Sequence, residues 1–88
     1  MRIKEDFITR TIAGETVVVP TGEAAARLNG MITLNETGAF IWHFLQEAHT
    51  KEELLAAMLE EFEVDEICAK ADIEGFTGVL MENGMLEE

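Results

Sequence analysis

The sequence is poor in the residues that most kinds of chemistry require. Its 88 residues include one cysteine, one proline, one tryptophan and two histidines. The single Cys68 excludes an intramolecular disulfide and fits a reducing compartment. No apolar run approaches the roughly 18–20 residues of a membrane span. The opening stretch MRIKEDFITR lacks the apolar centre of a signal peptide, so a cytoplasmic domain with no membrane partner is the expectation. Gly14, Gly30 and Gly38 stand alone, which leaves no glycine-rich loop to cradle a phosphate. Cations are also scarce: 6 Lys+Arg stand against 18 Asp+Glu, for a formal net charge of -12.

That deficit is uneven along the chain. Residues 1–22 balance Arg2, Lys4 and Arg10 against Glu5, Asp6 and Glu15. Residues 51–88 hold only Lys51 and Lys70 against twelve carboxylates, net -10. Nucleic-acid binders displace phosphate counterions with Lys and Arg, and this C-terminal half would repel the backbone instead. A nucleic-acid partner is therefore not expected. The plain reading of the acidity is a solvated helical surface.

What is present suffices for one small domain over residues 1–88. With 48% hydrophobic and 27% charged residues the chain can build a core. Phe7, Thr9 and Thr11 alternate with Ile8, Arg10 and Ile12, and Thr16–Val19 is a short β-branched run. The Ala13-Gly14-Glu15 turn between them predicts a hairpin. Pro20, without an N–H, ends the second strand or marks its edge. A third strand is expected over about 27–34, with Asn29-Gly30 as a turn signal, although the alanines of Glu23–Leu28 suit a helix equally.

Asn35 then opens the helical part as an N-cap, with Glu36 at the positive end of the dipole. Thr37, Phe40, Ile41, Phe44, Leu45 and Ala48 recur at three and four and mark one face of a first helix. Thr50 and Glu53 form a capping box for a second, whose stripe is Leu54, Leu55, Met58, Leu59 and Phe62. A third begins near Glu66, with Ala69, Ile73, Phe76 and Leu80 on one face and Gly84 as its left-handed cap. The result is an α+β order of three strands followed by three helices. The last two helices have the proportions of a helix-turn-helix.

A catalytic reading needs a nucleophile, a base and a group that orients them. Cys68 sits among Asp65, Glu66 and Asp72, which disfavour a thiolate. His43, Glu47 and His49 have a generic spacing that exposed polar positions explain, so no metal is expected. Trp42 falls beside the main stripe of its helix and reads as packing at the edge of the core. No catalytic residue and no cofactor are expected. The positive signal is architectural: an edge strand leaves N–H and C=O groups that an extended peptide can complete.

The ordered combination Leu34–Trp42 (LNETGAFIW), Thr50-Lys51-Glu52-Glu53-Leu54, Asp72-Ile73 with Phe76 and Leu80, and Gly84-Met85-Leu86 resembles the PQQ-biosynthesis protein D family. This family is the stand-alone form of the recognition element of ribosomally synthesised, post-translationally modified peptides (RiPPs). The resemblance spans about Phe7 to Leu86, with departures at Thr77, where the family usually has Leu, and at Gly75 and Gly78. It implies a winged helix-turn-helix with a three-stranded antiparallel sheet and no catalytic activity. It also implies a peptide-binding adaptor that takes the leader of a precursor peptide as an added strand and presents it to a modifying enzyme, often a radical-SAM protein. Carried onto this sequence, the strand wall is the backbone of Leu28, Asn29, Gly30, Met31, Ile32, Thr33 and Leu34. The helix wall is Cys68, Asp72, Gly75 and Val79. The alternatives are a winged-helix transcription regulator, which the acidic third helix disfavours, and a structural subunit without a peptide ligand. Monomer and dimer both remain open.

Overall fold

In the computed structural model, which describes residues 1–27 and 31–87 (Arg27 by its backbone alone), the hairpin closes on just two residues. Strand β2 (Phe7–Ile12) pairs antiparallel with β3 (Glu15–Pro20), from Phe7 opposite Pro20 to Ile12 opposite Glu15. Ala13 and Gly14 both take positive φ, 53° and 83°. Paired left-handed residues make the turn whose twist matches the strands it joins. Glycine adopts this conformation freely, but alanine does so at a steric cost. Pro20 ends its strand as its missing N–H requires.

After the hairpin the chain forms a short helix, α1 (Gly22–Arg27), which buries Ala24 completely. The third strand, β4, runs only from Ile32 to Leu34. The expected span of 27–34 is thus corrected at its start: Arg27 ends a helix, as the alanine run allowed. Leu28, Asn29 and Gly30 lie outside the described residues. The strand pairs antiparallel with β3, with Thr16 opposite Leu34 and Val18 opposite Ile32. The sheet order β2-β3-β4 makes it an outer strand among the described residues.

Helix α2 (Glu36–Phe44) starts where Asn35 Oδ1 accepts the Gly38 amide at 2.7 Å. The apolar spacing extends to Ala48, but the helix stops at Phe44. The Leu45 carbonyl accepts from the Ile3 amide at 2.8 Å, and the His49 amide donates to Met1. A strand that no short-range pattern announces therefore takes the place of the next helical turn. This strand, β1 (Arg2–Ile3), pairs with β5 (Leu86–Glu87) and buries Ile3 beside Leu86.

Helix α3 (Lys51–Glu61) carries the expected capping box: Glu53 N–H donates to Thr50 Oγ1 at 3.1 Å, and Thr50 N–H donates to Glu53 Oε1 at 2.8 Å. Helix α4 (Glu66–Glu82) is capped by Asp65, which accepts the Cys68 amide at 2.7 Å. It ends on Gly84 at φ 67°, with Met85 N–H donating to Leu80 and Gly84 N–H to Met81. Both bonds together are the Schellman arrangement, and they turn Met85 and Leu86 inward, where both are buried.

The core lies between the hairpin and the helices, built on Val18, Ile41, Trp42, Leu45, Leu54, Met58 and Leu80. Trp42 is 2% exposed and meets Phe7 edge to face at 5.9 Å between ring centroids. The expectation that it packs at the edge of the core is corrected: Trp42 belongs to the core itself, beside Ile41 and Leu45 and against Phe7 of the hairpin. Thr77, buried on α4, donates its hydroxyl to the Ile73 carbonyl at 2.6 Å. The polar atom is thereby satisfied. Among the described residues no helix is long and apolar enough to cross a membrane.

Candidate functional site: an open strand edge and the groove beside it

The alternation of antiparallel bonds determines which groups of β4 are free. A two-residue loop makes Ile12–Glu15 a bonded pair, so Val17 also bonds toward β2. Thr16 and Val18 then bond toward β4, through Leu34 and Ile32. Among the described residues, Thr33 is left with its N–H and C=O directed away from the sheet, available to a further strand. The side chains alternate accordingly: Leu34 is buried, Ile32 half-buried, and Thr33 and Met31 exposed. Met31 shows 61% of its surface.

Where β4 ends, the chain enters a groove of about 330 Å³ between the start of α2 and the middle of α4. Asn35, Thr37, Gly38 and Ile41 line one side; Ala71, Asp72, Gly75, Phe76 and Val79 line the other. Three of the four helix positions expected for a peptide wall, Asp72, Gly75 and Val79, therefore stand together on this groove. Cys68 does not line it and lies exposed in the first turn of α4. Val79 is 49% exposed, an apolar side chain presented to solvent. A larger hollow of about 670 Å³ adjoins the same strand end, lined by Gly14, Glu15, Thr16, Thr33, Leu34, Asn35, Glu36 and Ala39.

The two glycines on the groove play opposite parts. A Cβ on Gly38 would lie 3.0 Å from Asn35 Oδ1 and 3.3 Å from the Phe76 ring, so its absence lets the α2 cap and α4 approach. A Cβ on Gly75 would meet nothing within 4 Å. Gly75 weakens the helix by about 1 kcal/mol relative to Ala while leaving the wall low. The α2 side, with Thr37, Gly38 and Ile41, is what sequence reasoning missed. The Thr-Gly pair just inside a cap was the available signal, but only the approach of α4 gives it meaning.

The electrostatics around the first turn of α4 follow from its cap. The Cys68 amide holds the Asp65 carboxyl below the usual range. In turn the hydrogen bond and charge of Asp65, with a smaller contribution from Asp72, push the Cys68 thiol up. Such a thiol is a weaker nucleophile near neutrality.

A sequence model described as coenzyme PQQ synthesis protein D (PqqD) matches residues 12–86. The chain belongs to the PqqD family. The matched span covers the hairpin end, β4 and all three long helices of the chain, as the ordered motifs imply. Among curated proteins none matches it significantly. Two solved structures share its fold. TbiB1 in complex with the TbiA(beta) leader peptide is 25% identical, with a TM-score of 0.77 over 99% of this chain and 95% of that one. Lasso peptide synthetase B1 complexed with the leader peptide is 23% identical, with a TM-score of 0.74 over 99% of this chain and 96% of that one. The winged helix-turn-helix with its three-stranded sheet is thus the fold of a PqqD-type RiPP recognition element.

Proposed function

We propose that this PqqD-family chain is a non-catalytic peptide-binding adaptor. It takes the leader segment of a ribosomally made precursor as a strand added to β4, and presents it to a modifying enzyme, of radical-SAM type in the first instance, in the cytoplasm. The observation that carries this reading is an outward-facing Thr33 backbone on a strand that leads, through Asn35, into a groove walled by Asp72, Gly75 and Val79. Backbone bonds supply affinity in strand addition, and pockets for alternate side chains supply specificity. Family membership and two structural relatives, one 25% identical and each solved with a leader peptide, support the same reading. A regulator of transcription would instead need a basic recognition helix, and α4 offers Lys70 against Glu66, Asp72, Glu74 and Glu82.

The peptide wall comprises Met31, Ile32, Thr33 and Leu34 with Asp72, Gly75 and Val79. Leu28, Asn29 and Gly30, outside the described residues, belong to the same proposed strand wall, and Cys68, one turn before Asp72 on α4, to the helix wall beyond the residues that line the groove. The decisive substitution is Gly75→Leu. Its Cβ meets nothing within 4 Å among the described residues and leucine raises helix propensity, so the protein stays folded while the side chain narrows the groove. Titration with the synthetic leader of the precursor encoded beside the gene should shift amides of β4 and α4 in the wild type. In Gly75→Leu affinity should fall by about tenfold or more. Unchanged affinity in that variant, or wild-type binding that shifts neither element, would refute the groove.

A further inference from the structure

The turn between α3 and α4 presents apolar side chains that the fold leaves uncovered. Ile67 is 81% exposed, and Leu59 and Val64 are each 37% exposed. All three fall within the last turn of α3, the connection, and the first turn of α4. Around them five exposed carboxylates stand between Glu60 and Glu66, and no Lys or Arg occurs from Glu52 to Ala69. Solvation alone accounts for the acids but not for an isoleucine held almost fully in water next to them. An apolar centre within a charged rim is the make-up of a protein-binding patch.

The corner also lies on a different side of α4 from the groove. At about 100° per residue, Ile67 lies roughly 110° around α4 from the mean direction of Asp72, Gly75 and Val79. The buried positions Ala69, Ile73, Thr77 and Leu80 lie on the third side. Helix α4 thus has one face for the core, one for the groove, and one left over. A partner seated on Ile67 does not displace a peptide lying along Gly75.

The geometry points to this corner as the docking surface for a second protein, the modifying enzyme, presenting an apolar socket with a basic rim while the groove remains filled. The inference rests on the adaptor reading above, and charge complementarity selects the occupant: the surface has net -7 over residues 52–69 and would repel an acidic or nucleic-acid partner.

The test uses the full chain, the purified modifying enzyme encoded beside its gene, and the labelled synthetic leader of the neighbouring precursor, with each affinity measured separately. The double variant Val64→Ser with Ile67→Ser should bind the enzyme at least about tenfold more weakly and bind the leader as the wild type does. Gly75→Leu should show the reverse pattern. Glu60→Gln with Glu63→Gln should slow association with the enzyme, and raising salt from about 0.05 to 0.5 M should do the same to the wild type. The proposal is overturned if the serine variant binds the enzyme normally, if it loses enzyme and leader together, or if the wild type has no affinity for the enzyme. A wild type that binds the enzyme through Val64 and Ile67 but ignores the leader would sink the adaptor reading and leave this surface standing.

Discussion

Asp65 serves two groups of one residue, Cys68, with one carboxylate. It caps α4 through the Cys68 amide, and its hydrogen bond and charge push the Cys68 thiol up. Because the thiol is raised above its ordinary value, less thiolate is present at any pH below it, and alkylation should be slow despite full exposure. Replacing Asp65 with Asn retains the cap, since the two residues cap about equally well, but removes the charge. Iodoacetamide should therefore modify Cys68 faster in Asp65→Asn than in the wild type at pH 8, with little change in thermal stability. Equal rates in the two proteins would show that Asp65 does not control the thiol. At this scale the sequence was informative: the acids around Cys68 could be read directly, because the cap and the thiol lie within one helical turn.

At the scale of elements, local signals decided most of the outcome. Capping side chains, the two-residue turn and helical spacing act over three or four residues, and Asn35, Thr50, Asp65 and Gly84 all do what their positions require. The hairpin turn retains one local conflict, because Ala13 holds φ 53° without the polar side chain that eases that conformation. Ala13→Asn should relieve it and stabilise the protein by about 0.5–1 kcal/mol, read from urea unfolding. A destabilised variant would indicate that the turn is of another kind. Two elements escaped local reading. The segment before β4 satisfied helical and extended patterns alike, and packing of Ala24 into the core settled it as helix. The first long helix was read through Ala48 because its apolar spacing continues, yet β1 takes the Leu45 carbonyl and ends it at Phe44.

For the whole molecule, the pairing of β1 with β5 joins the two ends of the described chain, closing the core with Ile3, Met85 and Leu86. The Arg2–Glu87 ion pair at 2.7 Å crosses this junction, but both side chains are near half-exposed, so it contributes little. Burial is the larger effect. Leu86→Ala should cost about 2–4 kcal/mol, whereas Arg2→Gln should cost less than about 1 kcal/mol. Chemical unfolding of both variants compares them directly; a larger loss from Arg2→Gln would reverse the assignment. The same closure explains why α4 is held in place at both ends: its cap is local, but its final turn is fastened by residues that fold back into the core.

By itself the sequence determined the hairpin, the three long helices with their caps, and an acidic C-terminal half unsuited to nucleic acid. Each follows from interactions spanning a few residues or from charge that no fold can remove. The ordered motifs from Leu34 to Leu86 also made the family legible. Only the tertiary structure decided that β4 lies at an edge, that Thr33 turns its backbone outward, and that α2 and α4 meet across Gly38 to leave a groove above Gly75. It alone paired β1 with β5 and left Ile67 bare at the α3–α4 corner. Those outcomes depend on groups far apart in the chain, where local spacing carries no information about which surfaces meet and which remain open.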